Sequence, residues 1–288
     1  MNREFWQLRT AARNYYDSYR LATRISNRLA ALARDGESYT PTAEPLLYEQ
    51  LVAVKQMKDA SGKLLVKLYK QSAPPLVVKF QQQTLGLGEV WVARLVGEVG
   101  DFKTYTEAWW STPEELEEAG IRSQDTRAGH ADDDEDDELS PSGNLVIPKR
   151  VLAIGEVRTT GVRELWAYCG HGDPELRRRR GQTQDEALAS GNPTAKMIVH
   201  QMTEFALRLN GNPDKNGKPR GQTPYYPAYL AARQHAEQLH PDWKKGHVYN
   251  YAVRKVGKGI LKDLWRVQHG FEPVYGARTE WAPKKRAA

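Results

Sequence analysis

The stretch TLGLGEVWVARLVGEVGDF, Thr84 to Phe102, sets two glycines around a leucine and then runs on as an apolar-patterned segment to Gly100. Turns of this type let a main chain approach a phosphate closely, because glycine has no Cβ and tolerates positive φ. A dinucleotide site would need a strand before the glycines, a third glycine and an acid about 20 residues on. Here the glycines follow KFQQQ, with glutamines where a buried strand would be, and no third glycine stands at the expected position. No Gly-Lys-Ser/Thr follows, so a nucleoside-triphosphate loop is also absent. The pattern fits a helix-hairpin-helix better. Leu85, Gly86, Leu87 and Gly88 form the turn, and Ala93 is small enough for the second helix to approach the first. Such a turn presents main-chain N–H groups to a nucleic-acid backbone and reads no bases. The competing reading is a helical turn used only for packing.

Other residues have side chains capable of chemistry, but their spacing is less specific. Seven consecutive acids, Asp132 to Glu138, read as a solvated, self-repelling tract, since adjacent residues cannot all converge on one metal. An acidic loop in a basic protein could also mask a basic groove. His171, His200, His235, His240 and His247 show no metal-ligand spacing, and no metal or cofactor is expected. Tyr225, Tyr226, Tyr229, Tyr249 and Tyr251 carry possible nucleophilic hydroxyls, yet tyrosines on amphipathic helices mostly pack. Arg177, Arg178, Arg179 and Arg180 form a compact cationic cluster. Trp91, Trp109, Trp166, Trp243 and Trp265 read as core residues in preference to base-stacking platforms.

The elements that must position these residues are mainly helical. Residues 3 to about 34 contain no Gly or Pro, and Gly36 stops the segment. Leu8, Tyr15, Tyr19, Ala22, Ile25, Leu29 and Leu32 fall on one arc, while Arg9, Arg13, Arg20, Arg24 and Arg34 gather on the other. The arginine arc is either a solvated face or a phosphate-tracking stripe. After the turn TPTAEP a second helix is expected from about Leu46 to Gln71, where Gly62 could kink it. The two helices form a hairpin of the kind that mediates dimerisation. Pro74 and Pro75 can start a further helix, and Glu89 to Val99 reads as the next. A short capped helix is expected at 112–119, then a disordered acidic loop. Helices follow at 162–169, 193–209 and over two closing segments separated by HPDWKKG. The expected architecture is a helical hairpin over 1–73 and a helix-hairpin-helix domain over 74–288, interrupted by an acidic insertion at about 111–145.

The chain has 288 residues and a formal net charge of +6. The charge is segregated. From Lys196 onward 17 basic residues face 7 acids, whereas residues 107–138 hold 13 acids and 2 bases. The last basic residues include Arg254, Lys255, Lys258, Lys262 and Arg266, which would extend a nucleic-acid footprint. One cysteine, Cys169, excludes a disulfide framework and a cysteine zinc site within the chain, and points to a reducing, intracellular setting. No run approaches about 18 apolar residues, so no membrane partner is expected.

LGLGEVWVARLVGEVGDFKTY resembles the helix-hairpin-helix segment of insertion-sequence transposases with a DEDD-type nuclease domain and their relatives, the pilin-gene invertases. ELWAYCGHGDP and ASGNPTAKMIVHQM resemble the family's next two blocks, and YYPAYLAARQHAEQ and YNYAVRKVGKGILKDLWRVQHG its closing helices. The order agrees from about Leu46 to Gly270. Three departures accompany the resemblance. The family's RuvC-like domain, with four dispersed magnesium-binding acids, has no counterpart, and the string Asp134 to Asp137 is a coincidence. The serine nucleophile's position is matched by Arg180-Gly181, with Ser190 falling in a later block. Residues 106–160 are inserted between blocks normally close together.

The resemblance implies a sequence-tolerant nucleic-acid-binding protein, for duplex DNA first and possibly RNA, without catalytic residues of its own. It would be intracellular, in the cytoplasm or nucleoid, and homo-oligomeric through its N-terminal helices. The alternatives are a minimal recombinase subunit that cuts or joins DNA with a partner, and a scaffold protein.

Overall fold

The computed structural model of the protein describes residues 3–34, 45–111, 126–127, 151–159, 161–172, 191–213, 216–218 and 220–276. Among the described residues the fold is mainly helical. α1 (Arg3–Arg34), α2 (Pro45–Ser72), α3 (Pro75–Gln83) and α4 (Glu89–Val99) form the N-terminal half. α5 (Val162–Tyr168), α6 (Pro193–Leu207), α7 (Tyr226–Leu239) and α8 (Lys245–Gln268) form the C-terminal half. Among the described residues no helix is long and apolar enough to cross a membrane.

The chain divides into two units, and not at residue 73. One comprises residues 1–103 and 161–288, the other Thr104–Thr160. The helical hairpin is no separate domain, because its base is part of the main core. Leu8, Leu65 and Tyr69 cluster with Val77, Phe80, Leu95, Ile198, Met202, Ile260 and Leu264. The distal half of the hairpin has a small cluster of its own, Ala22, Leu29 and Leu51, with Ile25, Leu47 and Val54 against it.

The second unit adds strands that the sequence reading did not include. It holds three strands, β1 (Thr104–Ser111), β2 (Thr126–Arg127) and β3 (Val151–Thr159), in the order β1-β3-β2. Thr104 pairs with Thr159 and Ser111 with Val151, antiparallel, with a register shift between Thr106 and Ala108. Both long strands are rich in β-branched and aromatic residues, which favour pleated pairing. The expected helix at 112–119 and the acidic tract at 132–138 lie outside the described residues.

Glycines allow two close helix crossings. α2 runs unbroken from Pro45 to Ser72, through Gly62. A Cβ there would stand 3.2 Å from the Tyr15 ring, so Gly62 allows α1 to lie close on α2. Gly97 does the same between α4 and α1, where a Cβ would come within 3.0 Å of the Leu8 carbonyl oxygen and 3.1 Å of Ala12.

Alanine exceeds glycine in helix propensity by roughly 1 kcal/mol. Gly97→Ala is nonetheless expected to lower stability, because the clash is with backbone. Urea denaturation reads the sign, and a raised midpoint would reject the close α1–α4 crossing.

Candidate nucleic-acid interface

The structure gives the glycine turn a packing job. Gly86 takes φ +97°, and a Cβ on it would lie 3.1 Å from the Ala206 Cα and 3.3 Å from the Thr223 side chain. A Cβ on Gly88 would meet the Phe205 ring at 3.2 Å. What approaches these glycines is therefore the C-terminal end of α6. Leu87 is buried, and Gln81 Nε2 donates to its carbonyl at 2.8 Å. Leu85 is half exposed, with its side chain over Gly221. The first turn of α4 already carries a carboxylate, Glu89, bridged to Lys70 at 2.8 Å. A phosphate arriving at that helix end would meet this negative charge.

The arginine arc of α1 splits in two. Arg9 donates to the Glu98 carboxylate at 3.2 Å, and Arg13 lies 3.8 Å from it. Glu98 is 3% exposed and also accepts from Asn192 Nδ2 at 2.8 Å. Arg9 and Arg13 thus satisfy an internal acid. Arg20 and Arg24 remain exposed, with the Arg20 guanidinium 5.5 Å from the Tyr16 ring centre. Next to them is Arg94, which sequence reasoning missed. It is 1% exposed, donates to Gln201 Oε1 at 3.3 Å and lies over the Tyr16 and Trp91 rings at 4.8 and 5.0 Å. Burial pushes its pKa below the ordinary guanidinium range. Its one signal was an arginine inside the apolar run VWVARLV. Arg177, Arg178, Arg179 and Arg180 lie outside the described residues.

The basic residues of α8 come together, and in unexpected company. Arg254, Lys258, Lys262 and Arg266 stand four residues apart on one face, with Lys255 beside them, and all five are half-buried. Aromatic rings fill the spaces between. The Lys258 ammonium is 4.4 Å from the Trp166 ring centre, and that of Lys255 is 5.2 Å from Tyr251. The Arg266 guanidinium lies 5.6 Å from Phe271, and its Nε donates to the Glu272 carbonyl. Burial draws the pKa of both Lys255 and Lys258 downward. Trp166 Nε1 donates to the Lys258 carbonyl at 3.0 Å, which fixes the plane of the indole. Val162, Arg163, Trp166 and Lys262 line a cavity of about 380 Å³ beside it. Trp243 stacks on His240 at 3.9 Å and Trp265 on His269 at 4.1 Å. Trp91, Trp166, Trp243 and Trp265 are half-buried, and Trp91, Trp166 and Trp265 pack against the main core.

Among the described residues no three His, Cys, Asp or Glu are grouped to hold a metal ion. No protein-family model, no curated protein and no solved structure matches this chain.

Two of the tyrosine hydroxyls, those of Tyr225 and Tyr249, are held as phenols. Tyr225 is fully buried and donates to Asp263 Oδ2 at 2.9 Å, and burial with that carboxylate raises its pKa far above the ordinary value. Asp263 also accepts from the Val274 N–H at 2.8 Å, pinning the segment after α8. Tyr249 donates to Glu204 at 3.0 Å, and burial with that partner pushes its pKa up to about 12. These are structural roles.

His171 is 4% exposed, with both ring nitrogens unpartnered among the described residues. Burial first, then the nearby Lys196 and Lys258, pushes its pKa down to about 4.

Two outcomes follow from this geometry. Gly86→Ala should cost about 1–3 kcal/mol of stability by forcing a Cβ into a positive-φ site against backbone. Once folded, that variant should bind nucleic acid as the parent does. A selective loss of affinity with unchanged stability would restore the phosphate role of the turn. The His171 pKa is depressed in the fold, so the unfolded chain takes up its proton first as pH falls. Stability should drop between about pH 6.5 and 4, by up to roughly 3 kcal/mol. Denaturation midpoints of the parent and His171→Phe across that range isolate the effect, and identical pH profiles would refute it.

Proposed function

We propose that this chain binds nucleic acid, DNA in the first place, with little sequence preference, along the α8–α5 face. One observation carries the reading. A cationic ladder on α8 is interleaved with aromatic rings, and at its centre an oriented indole, Trp166, sits beside Lys258, Lys262 and Arg163. Cations neutralise phosphates and release counterions, which supplies affinity without reading sequence. Aromatic faces between them offer stacking to any base, again with little preference. Charge along the sequence supports the same surface, since the bases concentrate after Lys196. Arg20 and Arg24 on α1 would add to the footprint.

The order of sequence blocks supports kinship with the C-terminal part of DEDD-type transposases, in a form that holds nucleic acid without cutting it. Such a role belongs in the cytoplasm or nucleoid. The glycine turn in this reading shapes the fold that presents the ladder.

Fluorescence anisotropy with labelled duplex and single strands tests it. Affinity should fall steeply with salt, as a multi-phosphate contact requires. Arg163→Glu with Lys262→Glu should weaken binding about tenfold or more and lower the salt slope by roughly one per contact removed. A salt-insensitive affinity, or one that this pair leaves untouched, overturns the proposal.

A further inference from the structure

α2 carries two apolar faces, and the fold uses only one. Leu47, Leu51, Val54 and Leu65 turn towards α1 or the core. About a third of a turn away is a second row, Leu46, Gln50, Ala53, Met57, Ala60 and Leu64. Its members alternate four and three residues apart, the spacing of a two-helix seam. All six are exposed, with Leu46 at 72%, Met57 at 48% and Leu64 at 52%. A leucine–methionine row left in water over five turns of one helix is costly unless something covers it.

We infer that a second copy of this chain covers it, with the two α2 helices antiparallel. The charges beside the row choose the partner and its direction. In an antiparallel pair with Leu46 against the partner's Leu64, Ala53 falls against the partner's Met57, small against large. Gln50 falls against the partner's Ala60. The flanking positions on the side away from α1 are then Glu49, Gln56 and Lys63. In this register Glu49 lies opposite the partner's Lys63, and Gln56 opposite the partner's Gln56. The two-fold makes each charge pair twice. A parallel pair would set Leu46 on Leu46 and bring no such match. Glu49 and Lys63 are exposed and make no ion pair among the described residues, so both are free to meet a partner. The α1 helices, packed on the opposite flank, leave the seam open.

The test needs no nucleic acid, so its outcome is separate from that of the binding proposal. Sedimentation of the full chain should show a concentration-dependent monomer–dimer equilibrium. Glu49→Lys should weaken the dimer about tenfold, as should Lys63→Glu, because each sets like charges across the two-fold. The double swap should restore the parent affinity, which general misfolding would not do. A mixture of Leu46→Cys and Leu64→Cys chains should form a mixed disulfide on oxidation, in preference to either homodisulfide. A monomer at all concentrations overturns the inference, as does a dimer that Met57→Glu leaves intact. A Leu46→Cys homodisulfide as the main product would also sink it, by making the pair parallel.

Discussion

A carboxylate without water must be met by donors, and that of Glu98 is met by donors from two parts of the chain. Arg9 and Arg13 reach it from α1, and Asn192 from the start of α6. Asn192 has a second duty, since its Oδ1 caps α6 by accepting from Thr194 and Ala195 N–H. Tyr168, at the end of α5, donates to the Glu98 main-chain carbonyl and accepts from Asn192. Four helices thus meet at one buried glutamate. Removing any one donor would leave that charge partly unpaid within the interior, which costs far more than the pair contributes. The apolar crossing at Gly97 brings α1 close enough for this network to form.

Desolvation acts on the cations of α8 as well. Lysines normally keep their ammonium groups in water, yet Lys255 and Lys258 lie half-buried against rings. A ring face compensates a partly dry cation through its quadrupole, but less completely than a carboxylate does. Such a cation retains attraction for an arriving anion while its stem and ring are already ordered. The entropic cost of binding is correspondingly smaller. A ladder of this type differs from a solvated lysine stripe, whose side chains must all be immobilised on contact.

Local features of the fold were legible in the sequence, and long-range ones were not. α1 and α4 have the bounds their periodicity and glycine stops imply, because a helix depends on residues a few places apart. β1 and β3 escaped notice because each needs the other, and about 40 residues with a run of acids separate them. Arg9 and Arg13 read as free cations because their acid lies more than 80 residues away, on an apolar helix where a glutamate looked solvated. The α8 bases were recognised as a group, but Trp166, which completes their surface, comes from α5 and showed no periodic signal linking it to them.

The glycine turn makes the limit of motif reading concrete. A glycine pair records that something must come within about 3 Å of a main chain, and it carries no record of what. A phosphate and the backbone of Ala206 impose the same steric demand, so one string serves both. The two are separated by charge. A phosphate turn leaves the following helix start free or cationic, whereas here Glu89 occupies it and Lys70 is spent on Glu89. That acid, five residues beyond Thr84, was visible in the sequence from the outset. The end of α6 is what packs against the turn. On α8, by contrast, Lys258 and Arg266 are set against aromatic rings, neighbours that compensate a cation less completely than Glu89 compensates Lys70.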